Sequence, residues 1–568
     1  MKFIELSNFL SRLEKENSRN KITEILSDLF SKSSKDEIDK IVYLVLGRLA
    51  PNYEGLVLNI AEKMMIRAIA QASETSEEEI KTLYKQKGDL GDICFDVVKG
   101  TGRNLSISDV FGRLVEIAKD EGLGSQERKV TKMAELLSNL DPLSAKFVAR
   151  IPVGKLRLGF SNMTILDALS FMLRKDKTAR KEIEAAYNVR VDPGKIAKIV
   201  KENGLKKINE IEAQAGIPIR PALSERLPSA EKMLEKVGKK VYVEPKYDGF
   251  RTQLHIFKEG REKKVLIFSR NLEVTTHMFP DLVEAAQKIK VDNAILDGEA
   301  IAYDEKNNKF LPFQETVQRK RKHGVETAAK NIPLKLFVFD ILFKDGKSLL
   351  KLPFKERREI LKRVDFGDRR IEITRQDIVD NAGKIRDFIK KYLAEGLEGA
   401  MIKKIDALYK PGARGYHWVK YKKTTEEGVA DTIDCLVMGT YKGKGKRSRF
   451  GVGAFLVGIK DGNKFKTVSK IGTGLSDEQW RELFERTKKI TVDKEPASFV
   501  VDKNLFPDTW VKPSLVVEIL ADEITKSPIH SATLALRFPR LVRFRDDKSA
   551  GDTNTFKILK KLFEMQKV

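Results

Sequence analysis

The chain has 568 residues, too many for one hydrophobic core, and its length predicts roughly three to four compact units. An apolar share of 41% reads as globular rather than disordered, no apolar run approaches the ~20 residues of a membrane-spanning helix, and two cysteines, Cys94 and Cys435, exclude a four-cysteine zinc ribbon. A formal charge of +25 calls for a polyanionic partner, nucleic acid before anionic membrane because no basic amphipathic helix or lipidation signal accompanies it, and Lys and Glu enrichment of the heat-stable kind does not explain an excess of one sign.

The first residues, MKFIELSNFLSRLEKEN, read as an amphipathic helix without the apolar core or cleavage site of a signal peptide, so a cytoplasmic protein is expected. Helical spacing continues to about residue 214. In 34–50, Ile38, Ile41, Val42, Val45, Leu46 and Leu49 share a face, Ser34 and Glu37 make a capping-box pattern, and Pro51 follows. A second such unit is expected over 108–122. The segment 215–228 carries three prolines and a glycine and reads as a linker.

From Val241 the pattern becomes β-branched and short: VYVEPKYDGFRTQLHIF, KVLIFSRN, AILDGEAIAYD and KLFVFDILF, with helical stretches such as 377–393 between them, as in an α+β domain. Charged residues at 420–431 mark the next boundary. The strands that follow, TIDCLVMGTY, GAFLVGIK, KTVSKIG and SLVVEILADEI, suit a small barrel. The expected division is 1–214 all-α, 215–228 linker, 229–422 α+β and 423–568 β-barrel with a C-terminal tail.

The chemistry centres on Lys246-Tyr247-Asp248-Gly249-Phe250-Arg251 at a strand end. A K-x-D-G-x-R match arises by accident in about one such chain in a hundred, and Asp248-Gly249 alone also suits a charged hairpin. The match does not stand alone. Ser269-Arg270-Asn271, Leu296-Asp297-Gly298-Glu299, Phe339-Asp340, Glu398-Gly399-Ala400-Met401-Ile402-Lys403, Trp418-Val419-Lys420-Tyr421-Lys422 and Arg537-Phe538-Pro539-Arg540 follow in order. This ordered set resembles the covalent nucleotidyltransferases, which comprise DNA ligases, RNA ligases and mRNA capping enzymes.

A lysine amine attacks an α-phosphate only when neutral, and at an ordinary pKa of ~10.4 fewer than about one in a thousand is neutral at pH 7. Nearby cations and desolvation must lower it, and Lys420, Lys422 and Arg251 are candidates that would also neutralise a triphosphate. The resemblance makes Lys246 the nucleophile and Glu244 and Phe339 the adenine contacts, by hydrogen bonding and stacking respectively. It assigns Arg251, Arg270 and Glu299 to ribose and phosphate, and Arg414, Lys420 and Lys422 to the phosphates. Glu299 and Glu398 become carboxylates near Mg²⁺, or Mn²⁺ in its place. It also puts Arg537 and Arg540 on a mobile barrel domain that orients pyrophosphate, with a hinge over 422–429.

Further runs narrow the resemblance. Gly154-Lys155-Leu156-Arg157-Leu158-Gly159, Pro218-Ile219-Arg220-Pro221-Ala222-Leu223, Gly439 to Gly445, Ile471 to Gly474 and Ile524 to His530 are similar to stretches of the archaeal and eukaryotic replicative ATP-dependent DNA ligases. That implies a multidomain chain with an all-α DNA-binding domain, an α+β adenylation (nucleotidyltransferase) domain and a β-barrel OB-fold domain. It implies ATP-dependent sealing of nicked double-stranded DNA in replication, repair and recombination, by a monomeric, nucleoid-associated enzyme that a sliding clamp would recruit. Lys155, Arg157, Lys442 and Lys444 are the expected DNA contacts, and the basic cluster at 319–322 is a further one if exposed. An RNA ligase or guanylyltransferase and a non-catalytic DNA-binding scaffold are the alternatives that nucleotide and substrate comparisons separate. Ala222 stands where that family usually has Met.

Overall fold

The computed structural model of the chain describes all residues apart from 155, 157, 159, 228, 308, 322, 323, 423–431, 444–449 and 566–568, and the backbone alone for 422 and 565. It forms two compact units, one built from 1–226 with 230–420, the other from 227–229 with 421–568.

In the first unit, helices follow one another from Phe3–Glu14 to Pro193–Asn203 around a core that includes Phe3, Leu6, Phe30, Ile41, Phe147 and Leu169. Several start on an acidic or hydroxyl cap: Asp141 and Asp192 accept from Ser144 N and Lys195 N and are each followed by proline at the first helical position. Boundaries differ from the sequence pattern in informative ways. The helix expected over 34–50 is Ile38–Val45, because the Glu37 carboxylate accepts from the Met1 ammonium at 2.8 Å and the Ser34 hydroxyl at 2.9 Å instead of closing a capping box. The one expected from 108 is Ile107–Lys119, capped by Ser106 in a reciprocal box with Asp109. Cys94 and Cys435 are both buried and free, and burial pushes both thiols up.

The rest of the first unit is two sheets. One runs Leu223–Arg226, Arg414–Lys422, Gly399–Lys404, Val241–Lys246, Asp377–Val379. The other runs Glu262–Ser269, Phe250–Glu259, Ala294–Asp304, Leu334–Lys344, Lys347–Ser348, with Lys309–Phe310 and Ile371–Ile373 added at its flanks. Residues 377–393, expected to be helical throughout, begin as an edge strand antiparallel to Val241–Val243; the helix Ala382–Ala394 starts only after Asn381, whose side chain accepts from Lys384 N at 2.9 Å.

The second unit is strand-rich. A sheet orders Thr491–Val492, Thr509–Val511, Ile433–Lys442, Val452–Asp461, Lys464–Ile471 and Phe499–Val500, and Val516–Leu520 and Arg540–Phe544 extend it from Ile433–Lys442. Glu523–Lys526 and Leu534–Arg537 form a separate ribbon, and Trp480 and Leu483 of the helix Asp477–Lys488 pack on Phe455 and Val457 in the core.

Candidate active site

Lys246 ends a strand of the first sheet, and Phe250 begins a strand of the second. The K-x-D-G-x-R run is therefore a crossover between sheets, not a hairpin. Gly249 is required there by close approach, since a Cβ would lie 2.2 Å from the Ala300 carbonyl oxygen. The crossing opens a cavity of about 230 Å³ whose lining includes Glu244, Lys246, Arg251, Arg270, Glu299, Phe339, Met401, Lys403, Arg414, Trp418 and Lys420.

Register explains much of this convergence. Arg251 lies opposite Glu299, Glu299 opposite Phe337, Met401 opposite Glu244 and Gly399 opposite Lys246. The Glu398 amide donates to the Lys246 carbonyl at 3.0 Å, and the Lys246 ammonium donates to the Glu398 carboxylate. Glu299 sits in the field of Lys246, Arg251 and Glu398. Burial, opposed by the two cations and reinforced by Glu398 and Asp297, pushes its carboxyl up to about 7.

Arg251 is a wall of the cavity with most of its donors already used. Nε and Nη2 reach the two oxygens of Asp297 at 3.1 and 2.7 Å, and Nη1 donates to the Ala222 carbonyl at 2.6 Å. Burial works against its charge, but Asp297 holds its pKa above the ordinary arginine value. Tyr409 completes the network, donating to Asp297 at 2.9 Å and accepting from Ala222 N at 3.1 Å. The guanidinium lies 5.5 Å from the ring centres of both Phe339 and Trp418, which meet edge to face.

At the base of the cavity Glu244 is 2% exposed, paired with Lys403 at 2.6 Å and accepting from Gln376 Nε2 at 2.7 Å. Arg270 and Arg414 are exposed at the rim, and Arg270 also lines a neighbouring cavity of about 380 Å³ with Arg48 and Arg220. Asp340 points elsewhere, held by buried Arg357 at 2.8 Å through each oxygen.

Of the expected site residues, Lys246, Glu244, Arg251, Arg270, Glu299, Phe339, Arg414 and Lys420 line one cavity, and Glu398 hydrogen-bonds to Lys246. The side chain of Lys422, and Lys155, Arg157 and Lys444, lie outside the described residues, as does most of the expected hinge; Lys442 is exposed at a strand end. Arg537 and Arg540 belong to the second unit, where they pair with Glu523 and Asp522. Arg319 corrects the reading of 319–322 as an exposed basic cluster: it is fully buried, chelating Asp281 at 2.7 and 3.1 Å.

Asp297, Lys403, Tyr409 and Gln376 also belong to the site, with roles that depend on contacts rather than on their own motifs. A period-two count from Gly399 puts Met401 and Lys403 on one strand face, a signal that was available. Gln376 follows a short strand in a loop and had no local signal.

Comparison with known proteins agrees along the chain. The family described as "DNA ligase N terminus" matches residues 2–170, "ATP dependent DNA ligase domain" matches 221–422, and "ATP dependent DNA ligase C terminal region" matches 448–548. A "Probable DNA ligase" of Dictyoglomus thermophilum is 43% identical over 100% of this chain and 98% of its own length. A "DNA ligase" of Sulfolobus acidocaldarius is 37% identical over 98% of this chain and 96% of its own. A solved structure described as "Pmar-Lig_PreS3" shares the fold at 19% identity, with a TM-score of 0.55 over 95% of this chain and 99% of that one.

Proposed function

Because the chain belongs to the ATP-dependent DNA ligase family and is an enzyme of that class, we propose that it seals nicks in duplex DNA through an AMP carried on Lys246. The lysine Nζ bonds to the α-phosphorus of ATP, the bond to the β-phosphate oxygen breaks, and pyrophosphate leaves. AMP then passes to the 5′-phosphate at the nick, and the 3′-hydroxyl displaces it. The observation that carries this reading is the position of Lys246 at the sheet crossover, on a cavity shared with Arg270, Arg414 and Lys420, cations suited to a triphosphate.

Glu244 and Phe339 take the adenine, with Arg251 acting mainly as a fixed wall because Asp297 already occupies it. Glu299 and Glu398 fit a hard cation such as Mg²⁺ or Mn²⁺: both offer oxygen donors, and the raised carboxyl of Glu299, pushed up chiefly by burial, leaves it in a dry place where a bound cation would favour its charged form. Among the described residues no group of three or more His, Cys, Asp or Glu side chains could hold a metal, so the ion would take its remaining ligands from phosphates and water. When bound, it neutralises phosphate charge.

In this reading the chain divides at 1–214, 215–228, 229–422 and 423–568, as a helical DNA-binding domain, a linker, an adenylation domain and an OB-fold domain. Lys155, Arg157, Lys442 and Lys444 contact the duplex of a monomeric enzyme, and a sliding clamp is a fitting recruiter. Arg537 and Arg540 leave Glu523 and Asp522 to orient pyrophosphate, with Lys422 joining the phosphate contacts at the hinge. Among the described residues no helix is long and apolar enough to cross a membrane. Incubation with α-labelled ATP and Mg²⁺ should label the chain through an acid-labile phosphoramide, and Lys246→Ala should abolish it; persistent labelling of that variant would refute the assignment.

A further inference from the structure

Lys403 is a cation placed where solvent cannot reach it. Its side chain and that of Glu244 are each 2% exposed and pair at 2.6 Å. Its ammonium lies 4.6, 4.7 and 4.5 Å from the ring centres of Phe339, Phe354 and Trp418. Burial pulls the Lys403 pKa down, while Glu244 and then Asp340 pull it back up. Asp340 is itself satisfied by Arg357 through both oxygens, so Glu244 is the carboxylate that directly pairs with this charge.

The second oxygen of Glu244 is fixed from the other side by Gln376 Nε2 at 2.7 Å. A carboxylate offers about four lone-pair sites. Gln376 occupies one on Oε1, Lys403 pairs with Oε2 by charge without hydrogen-bond geometry, and lone pairs remain for whatever enters the cavity that Glu244 lines. Held this way, Glu244 presents its oxygens to the cavity in a fixed orientation.

From this geometry we infer that Lys403, with Gln376, is a positioning residue that sets base specificity by holding the Glu244 oxygens in a fixed orientation toward the base edge, selecting a 6-amino purine and rejecting a 6-oxo purine. The inference rests on the reading of Glu244 as the base contact. A 6-amino group donates to the free lone pairs, whereas a 6-oxo group would face them with its own, leaving buried acceptors opposed and unpaired. Removing the counter-cation changes the selection rule. Without Lys403 the Glu244 carboxylate is no longer held in register with the base edge, so its lone pairs no longer discriminate against the 6-oxo base.

The test compares self-adenylylation, or its inosine counterpart, with ATP, ITP and purine riboside triphosphate, which differ at the 6-substituted edge. The full-length chain should prefer ATP over ITP by at least about 100-fold in kcat/KM. Lys403→Met should shrink the ATP-to-ITP ratio at least tenfold, mainly through a higher KM for ATP, and Lys403→Arg should restore most of it. Glu244→Gln should collapse the ratio as well. If Glu244→Gln leaves the ratio unchanged, Glu244 is not the base contact and the underlying reading fails. If Glu244→Gln collapses it while Lys403→Met slows all three nucleotides equally, Lys403 only supports the fold and the inference is overturned. Should Lys403→Met not fold, as judged by its thermal melt, Gln376→Met reads the same device from its other oxygen: a reduced ratio supports the inference and an unchanged one overturns it.

Discussion

Glu299 makes the Lys246 cavity sensitive to pH. Its carboxyl is raised to about 7 from an ordinary value near 4.5. The sign follows directly: a raised acid contributes its full stability while protonated, below the ordinary carboxylate range, and that contribution is lost as pH rises through about 7. A cation bound beside it reverses the preference by favouring the carboxylate. Self-adenylylation at limiting Mg²⁺ should therefore climb as pH passes through about 7, with the midpoint moving lower as Mg²⁺ is added. Glu299→Gln should remove that inflection and slow the step by roughly 100-fold; an unchanged profile in the variant would place the titration elsewhere.

The segment 213–226 shows an element acting through its backbone. Gly216 N donates to His255 Nδ1 at 3.0 Å, Ile219 N donates to Gln253 Oε1 at 2.8 Å, and Gln253 Nε2 returns a bond to the Ile219 carbonyl at 3.1 Å. Because Nδ1 accepts, Nε2 of the neutral imidazole carries the proton and donates to Gln253 Oε1 at 2.9 Å. Leu223–Arg226 then pairs in parallel with Arg414–Lys422. What its prolines mark as a linker is thus a strap stitched to both sheets, and its Ala222 carbonyl holds Arg251.

Burial pushes the His255 pKa down to about 3, so the strap has its full stability above the ordinary histidine value near 6.5 and loses it progressively as pH falls from there toward 3. Hydrogen exchange of the Gly216 and Ile219 amides, corrected for intrinsic rate, should accelerate between pH 7 and 5. Gln253→Leu should produce the same loosening at pH 7, at a cost of about 1–3 kcal/mol for each buried group left unpaired. Unchanged protection in that variant would show that the strap is held by its apolar contacts alone.

At the scale of the whole molecule, Arg537 and Arg540 sit in one unit and the Lys246 cavity in the other. Arg537→Ala should slow self-adenylylation more than sealing of a pre-adenylylated nick; equal losses in single-turnover assays of the two steps would contradict a closing role. The charge of +25 leads to a second expectation. Binding of nicked duplex should weaken steeply with salt, each phosphate neutralised adding about −0.9 to the slope of log K against log[salt]. A flat dependence, measured by fluorescence anisotropy, would be inconsistent with a backbone-tracking enzyme.

The parts of this architecture legible from residues alone were those written locally. Lys246, Arg251 and Glu299 lie in short runs whose order along the chain already implied a shared pocket, and strand patterns such as Leu334–Lys344 were plain from their apolar residues. Features created by long-range contact were not legible. Asp377 reads as helical because its edge-strand role depends on Val243, more than a hundred residues away. Arg319 reads as surface until Asp281 is beside it, and Lys403 until its aromatic neighbours close over it. The prolines of 215–228 carried no information about the backbone partners that fasten that segment in place, and the last helix before it already ends at Asn203.

The strap therefore changes where the polypeptide can be cut. A fragment starting at residue 229, the natural choice from domain boundaries, would lose a sheet strand and the carbonyl that anchors Arg251, and with them the shape of its own nucleotide cavity. One starting before Ala213, though longer, keeps every strap bond described above and is the piece expected to take up AMP unaided.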